Sequence, residues 1–344
     1  MAIMQLLLRL ARKCHICLWL ALYAAHTLSS CTTEAIYRSD EGAIWATEYH
    51  IKYKSPRQMT DSIIMTLRRV EMSVSVFNDS SLVSRLNRAE SLAADSILAK
   101  VFKGSVTVSR LSHGAFDPTV APLVELWGFG RNRQIHEAPT EEAIAQALEY
   151  VGIAQCSIDD EMVITKKHPR TQFNFSAIAK GLACDEVGRM MRRNGITDHM
   201  IEIGGEVALN GHNEQGNKWK LSVDAPITDD KNPSAHYRLA MIDVTDCGIA
   251  TSGNYRNYHN VGGQTIGHTI SPATGHPIDN GCLSATVIAP DCMMADALAT
   301  SCMAMHPDSA MAMIESLPDV EALIVLPGEP YSVITSQGFP EIHH

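Results

Sequence analysis

The chain has 344 residues, 45% of them hydrophobic and 19% charged, with 28 Lys and Arg against 38 Asp and Glu. Polar tracts are short and neither a low-complexity run nor a solenoid-length period occurs, which excludes disordered and repeat architectures. A formal charge of −10 argues against nucleic acid or anionic lipid as general partners, so a phosphate-bearing ligand must be held locally by amides, a metal or a few basic residues.

Residues 1–30 read as an export signal. Arg9, Arg12 and Lys13 precede an apolar run, CHICLWLALYAAHTL, that ends in small residues and a cysteine, Leu28-Ser29-Ser30-Cys31. Such a run is too short for a membrane span and has the flanks of a cleavable signal. LSSC resembles the bacterial lipobox, which predicts cleavage before Cys31, a lipid on that cysteine, and a tether over 31–42. A plain signal peptide with an incidental cysteine is the alternative. Cys14 and Cys17, spaced as a CxxC, fall inside the signal and carry no redox reading. Without residues 1–30 the charge is −13, from 25 basic and 38 acidic residues. Six further cysteines, at 156, 184, 247, 282, 292 and 302, show no compact disulfide framework, and buried free thiols fit their apolar neighbours at least as well.

The periodicity predicts a helix over 60–73, with Ile63, Ile64, Leu67 and Val70 on one face. Further helices are expected over 91–111, over 139–150 behind Pro139-Thr140-Glu141-Glu142, and over 177–193, capped by Ser176 and ending at Asn194-Gly195. After Gly195 the texture turns to strands. MIEIGGEVALNG reads as a hairpin about Gly-Gly, and WKLSVDAP, AMIDV and CGIATSG follow as strands. A strand over 283–289, helices over 293–305 and 308–316, and strands over 320–326 and 331–335 complete the chain. Helices with few strands, then mostly strands, are not the alternation of a doubly wound sheet. The expectation is α+β: antiparallel sheet flanked by helices in one functional domain, 43–336, with 337–344 a tail.

Four stretches are candidates for chemistry. HGAFDPTVAPLVELWGFG (113–130) combines Asp117-Pro118 with glycines that permit close backbone approach; on composition alone a tight loop with an Asp cap is the slightly favoured explanation. NFSAIAKGLACDE (174–186) opens a helix with Lys180 near its start, suited to an anionic phosphate. The loop-rich 250–277 holds His259, His268 and His276. In ADALATS, Asp296 and Thr300 stand four apart on one helical face. A carboxylate and a hydroxyl so placed suit magnesium, which takes few oxygens from protein and the rest from water and substrate phosphates. The spacing alone is common, and an ordinary solvated helix carries it too.

Together these stretches, with SVFNDSSLVSRLN (75–87), ATSGNYRNY and HTISPATGHP in the same order, resemble the ApbE family of bacterial FAD:protein FMN transferases over residues 43–336. The resemblance implies an ApbE-like, T-fold-related, exported, Mg²⁺-dependent enzyme that splits the pyrophosphate of FAD. Such an enzyme attaches FMN to a Thr or Ser hydroxyl of an acceptor protein and releases AMP. It implies Asp296, Thr300 and the Ala177 carbonyl as metal ligands. Ala115, Phe116, Asp117, Asn174, Lys180, Ile270 and Ala299 would contact FAD, and His268 would take the hydroxyl proton. It also implies acceptors among flavoprotein subunits of membrane redox complexes, such as the sodium-translocating NADH:quinone oxidoreductase. The implied location is the cell envelope, lipid-anchored and facing the periplasm. Metal-dependent FAD hydrolysis and a non-enzymatic FAD-binding lipoprotein are the other readings.

Three positions depart from the family pattern. Trp45-Ala46-Thr47 stands where Met-Gly-Thr is usual, with Trp45 expected to cover the flavin. Phe77 replaces an aromatic hydroxyl and keeps only the stacking. Asn174 replaces an Asp and removes a charge near the phosphates.

Overall fold

The computed structural model describes Met4 and residues 34–131, 137–227, 237–254, 258–261, 264–329 and 331–343. The expected export signal, Met4 apart, and the lipid site at Cys31 lie outside the described residues. By its contacts the chain divides into a minor unit, Met1–Ile36 with Ser55–Gln58, and a main unit, Tyr37–Lys54 with Met59–His344. In the minor unit the Arg57 amide donates to Ser55 Oγ at 3.2 Å.

The first strands, β1 (Ile36–Ile44) and β2 (Thr47–Ser55), were not expected. Residues 36–42, anticipated as tether, belong to β1. In β2, Tyr49, Ile51 and Tyr53 are buried and alternate with exposed residues, the period of a half-buried strand. Helix α1 (Thr60–Val74) buries Ile63, Leu67, Val70 and Val74. Helix α2 (Leu82–Arg88) is capped by Ser81, whose hydroxyl accepts the Ser84 amide. The helix expected over 91–111 begins later. Ser91–Ala93 is strand β3, and Asp95 accepts the amides of Ile97 and Leu98 to start α3 (Ser96–Leu111). An Asp that satisfies two orphan amides sets the first turn.

A 3₁₀ turn (Pro118–Val120) leads into α4 (Ala121–Leu126), and α5 (Glu141–Leu148) is capped by Thr140. Strands β4 (Cys156–Ile158) and β5 (Val163–Lys166) join β3 in a three-stranded sheet. Helix α6 (Ser176–Arg193) precedes β6 (His199–Ile203) and β7 (Glu206–Asn210). Ser176 is not its cap. Asn174 Oδ1 accepts the Ser176 amide at 2.9 Å and its hydroxyl at 2.6 Å, so Ser176 is drawn into the first turn.

The remaining elements are β8 (Trp219–Asp224), β9 (Arg238–Val244), β10 (Gly248–Gly253), β11 (Tyr258–Val261), β12 (Gln264–Gly267) and β13 (Ser284–Ala289). Helices α7 (Cys292–Ala304) and α8 (Pro307–Glu315) and strands β14 (Glu321–Leu326) and β15 (Ser332–Thr335) follow.

The eight-stranded sheet runs β1-β2-β6-β7-β10-β13-β14-β15, and every pairing from β2 to β15 is antiparallel. This is the expected α+β architecture. Both faces are covered. Ala285, Val287, Ala289 and Ile324 pack with α1, α3, α6 and α7 in the larger core, while Ile288, Leu323 and Val325 face the β8–β9 ribbon through Trp219 and Ile242. The expected tail, 337–344, is docked rather than free: Met241 and His343 exchange backbone hydrogen bonds at 2.8 and 2.9 Å, and Phe339 and Ile342 pack on the ribbon core.

Candidate active site

Helices α6 and α7 meet at Gly181. A Cβ built there would lie 2.2 Å from the Cys292 carbonyl oxygen and 2.8 Å from Asp296 Cβ, so only glycine lets the helices approach this closely. The Gly181 amide donates to Asp296 Oδ2 at 3.0 Å. In a regular helix that amide serves the carbonyl four residues back, Ala177. Ala177 lines the same cleft as Asp296.

Helix α7 is buried on nearly all sides by its alanines, which leaves Asp296 only 3% exposed. Burial raises its carboxyl pKa, against the pull of Lys180 and of the Gly181 and Lys180 amides. Thr300, one turn on, faces Ser252 of β10, with hydroxyl oxygens 3.3 Å apart. Lys180 Nζ lies 2.7 Å from Glu206 Oε1 and 2.6 Å from Oε2. Burial works against its charge, but Glu206 and Asp296 outweigh that and hold the ammonium charged. Burial pushes the Glu206 carboxyl upward, with Lys180 opposing and Asp296 reinforcing the shift.

These groups open into a cleft of about 500 Å³. Its second side is the 113–130 loop, with Ala115, Phe116 and Asp117 along it. Asp117 spends its carboxylate on the loop itself. Oδ1 accepts from the amide and hydroxyl of Thr119, at 2.8 and 2.5 Å, and Oδ2 accepts the Ile153 amide at 2.8 Å. Asn174 lines the cleft and donates its own amide to the Pro118 carbonyl at 2.7 Å, tying the α6 start to this loop.

A small apolar cluster of Leu123, Trp127, Ile144 and Ile270 backs the next wall. Trp127 Nε1 donates to the Gly275 carbonyl at 2.7 Å. Phe129 stacks on His259 at 4.3 Å and meets the His268 ring edge-on at 6.3 Å. His268 and Ile270 both line the cleft. Trp45 and Phe77 stand along it as well, Phe77 with 59% of its surface exposed. Trp45 and Ala46 form the β1–β2 turn at φ 51° and 60°, a left-handed geometry that favours glycine.

All the residues expected at the site converge here except Ala299. It is fully buried in the main core and does not line the cleft, because α7 presents Asp296 and Thr300 to the opening and turns Ala299 toward its packed side. Glu206, Ser252 and Phe129 line the cleft without having been singled out from the sequence. An acidic residue opening a buried strand was the one available signal, for Glu206.

The donor set fits a small hard cation. Asp296, Thr300 and the Ala177 carbonyl offer only oxygen, and among the described residues no three His, Cys, Asp or Glu side chains gather to cage a metal. A site of few protein oxygens that opens on a ligand cleft is the form magnesium takes with phosphate substrates.

This fold is that of the flavin transferases. Flavin transferase ApbE from Vibrio cholerae superposes with a TM-score of 0.78 at 32% identity, covering 89% of this chain and 98% of that one. The apbe protein of Thermotoga maritima gives 0.76 at 28% identity over 88% and 97%. Among curated proteins, the FAD:protein FMN transferase of Haemophilus influenzae is 30% identical over 94% of this chain and 96% of its own length. Its Vibrio cholerae namesake is 33% identical over 93% and 97%. The ApbE family model matches residues 45–324. The chain belongs to the ApbE family.

Proposed function

We propose that this enzyme is a Mg²⁺-dependent FAD:protein FMN transferase that moves FMN from FAD to a Thr or Ser hydroxyl of an acceptor protein and releases AMP. The observation that carries the reading is the meeting of Asp296, Thr300 and Ala177 in one cleft with a charged Lys180 and the aromatic side chains of Trp45 and Phe77. When bound, magnesium would neutralise charge on the pyrophosphate oxygens, which is most of what phosphoryl transfer asks of an enzyme.

The chain's own residues divide the remaining work. Asp296, Thr300 and the Ala177 carbonyl would hold the ion, and Lys180 places a further positive charge beside them. Phe77 and Trp45 supply apolar surface for a flavin ring. His268, which lines the cleft, would accept the proton of the acceptor hydroxyl. The hydroxyl oxygen then forms a bond to the FMN phosphorus as the phosphorus–oxygen bond to AMP breaks, and AMP departs with the bridging oxygen. Pocket groups set before reaction are worth more than groups that must reorganise.

The export signal and the LSSC motif support a lipid-anchored enzyme facing the periplasm. Its acceptors would then be flavoprotein subunits of membrane redox complexes. The test incubates protein, FAD, Mg²⁺ and an acceptor domain and reads in-gel flavin fluorescence. Labelled acceptor is expected with the parent and none with Asp296→Ala or chelator. FMN and AMP released without label would mark a hydrolase instead, and FAD left bound and intact would overturn the enzymatic reading.

A further inference from the structure

The segment 75–87 carries one residue that the proposed chemistry does not use. Asn87, at the end of α2, does not line the cleft, yet its side chain grips the backbone of a residue 86 positions away. Nδ2 donates to the Phe173 carbonyl at 2.9 Å and Oδ1 accepts the Phe173 amide at 2.8 Å. This is the two-way exchange of a strand ladder, supplied by one side-chain amide. Lys166, only 5% exposed, gathers the surrounding chain. Its ammonium donates to the carbonyls of Asn87, Pro169 and Thr171 at 3.2, 3.0 and 2.9 Å. The Phe173 ring is fully buried, stacked on Phe175 at 5.5 Å and edge-on to Phe102 at 5.9 Å.

Backbone and ring of Phe173 are therefore both pinned. The next residue is Asn174, whose Oδ1 accepts the Ser176 amide in the first turn of α6, whose own amide donates to Pro118, and which lines the cleft. Ala177 and Lys180 follow within the first two turns. We infer that Asn87 is a positioning residue: through Phe173 it sets where α6 begins, and so where the Ala177 carbonyl and the Lys180 ammonium stand. Aspartate at 87 could accept from Phe173 but not donate to it, and alanine could do neither. Displacements of about 1 Å far from reacting atoms can cost roughly a hundredfold in rate.

The kinetic part of this inference rests on the proposed transfer reaction; the structural part does not. The test compares the full protein with Asn87→Ala, Asn87→Asp and a core control, Leu323→Ala, which lies on the far face of the sheet. Asn87→Ala is expected to speed amide exchange of residues 174–181 about tenfold, weaken FAD binding about tenfold by fluorescence, and lower kcat for acceptor labelling about a hundredfold. Asn87→Asp should fall between it and the parent. Leu323→Ala should lose unfolding midpoint while leaving all three readouts near the parent. Matching losses in the control and the Asn87 variants, or parent-like exchange in Asn87→Ala, would overturn the inference. If Asn87→Ala does not fold, Asn87→Asp against Leu323→Ala decides alone. A parent that binds FAD but labels no acceptor defeats the transfer reading, while exchange and FAD affinity still judge Asn87.

Discussion

Gly181 of α6 and Asp296 of α7 are joined amide to carboxylate at 3.0 Å, across an interface that leaves the glycine no room for a side chain. The same contact brings the two helices together and orients the acidic group of the cleft.

Gly181→Ala should therefore damage stability and function together. Its methyl would meet backbone atoms of Cys292 at 2.2 and 2.6 Å, and backbone cannot swing aside as a side-chain tip can. The helices must part, at about 1–3 kcal/mol for overpacking. Urea unfolding should show that loss, and acceptor labelling should drop at least about tenfold as Asp296 shifts. A variant as stable and active as its parent would show that the interface has slack.

His199 makes stability depend on acid. It is 1% exposed in β6, and burial, helped by Arg192, pushes its imidazole down to about 4 from an ordinary 6.5. A base with a depressed folded value contributes stability that is present above the unfolded pKa. That contribution is lost as pH falls from 6.5 toward 4, at most about 3 kcal/mol. His199→Gln has no such titration. Over this window its urea midpoint should fall less than the parent's, and parallel curves would refute the assignment.

The six cysteines from Cys156 onward are free thiols, with Cys184, Cys282, Cys292 and Cys302 buried. Burial raises all their pKa values, Cys156 to about 11 and Cys247 and Cys282 to about 12. Thiolate is the reactive form, so a thiol-specific chromogenic reagent at pH 8 should find almost none of these six in the native protein and all of them in denaturant. Reductant should leave transfer activity unchanged. Rapid native labelling, or activity lost to reductant, would contradict this packing.

The parts legible in the sequence were those governed by short-range pattern. Ile63, Leu67 and Val70 announced α1 by helical spacing, and Gly204-Gly205 announced the β6–β7 hairpin. Asp296 and Thr300 were visible as a pair because a helix brings positions four apart onto one face. What stayed hidden depends on residues distant in the chain. The alternation of Tyr49, Ile51 and Tyr53 was present, but charged neighbours such as Lys52 and Lys54 masked it. The start of α3 moved because Asp95 captured two amides, and Ser176 lies inside α6 rather than capping it because its amide and hydroxyl both donate to Asn174 Oδ1. Ser252 and Phe129 reach the cleft only through tertiary placement, and Asn87 acquires its role from Phe173, in the segment between β5 and α6.

The cleft draws on positions from Trp45 to Ala304, with its oxygen donors split between Ala177 and α7. During synthesis a ribosome must release nearly the whole polypeptide before those donors can face one another. A product cut short before α7 therefore lacks both Asp296 and Thr300.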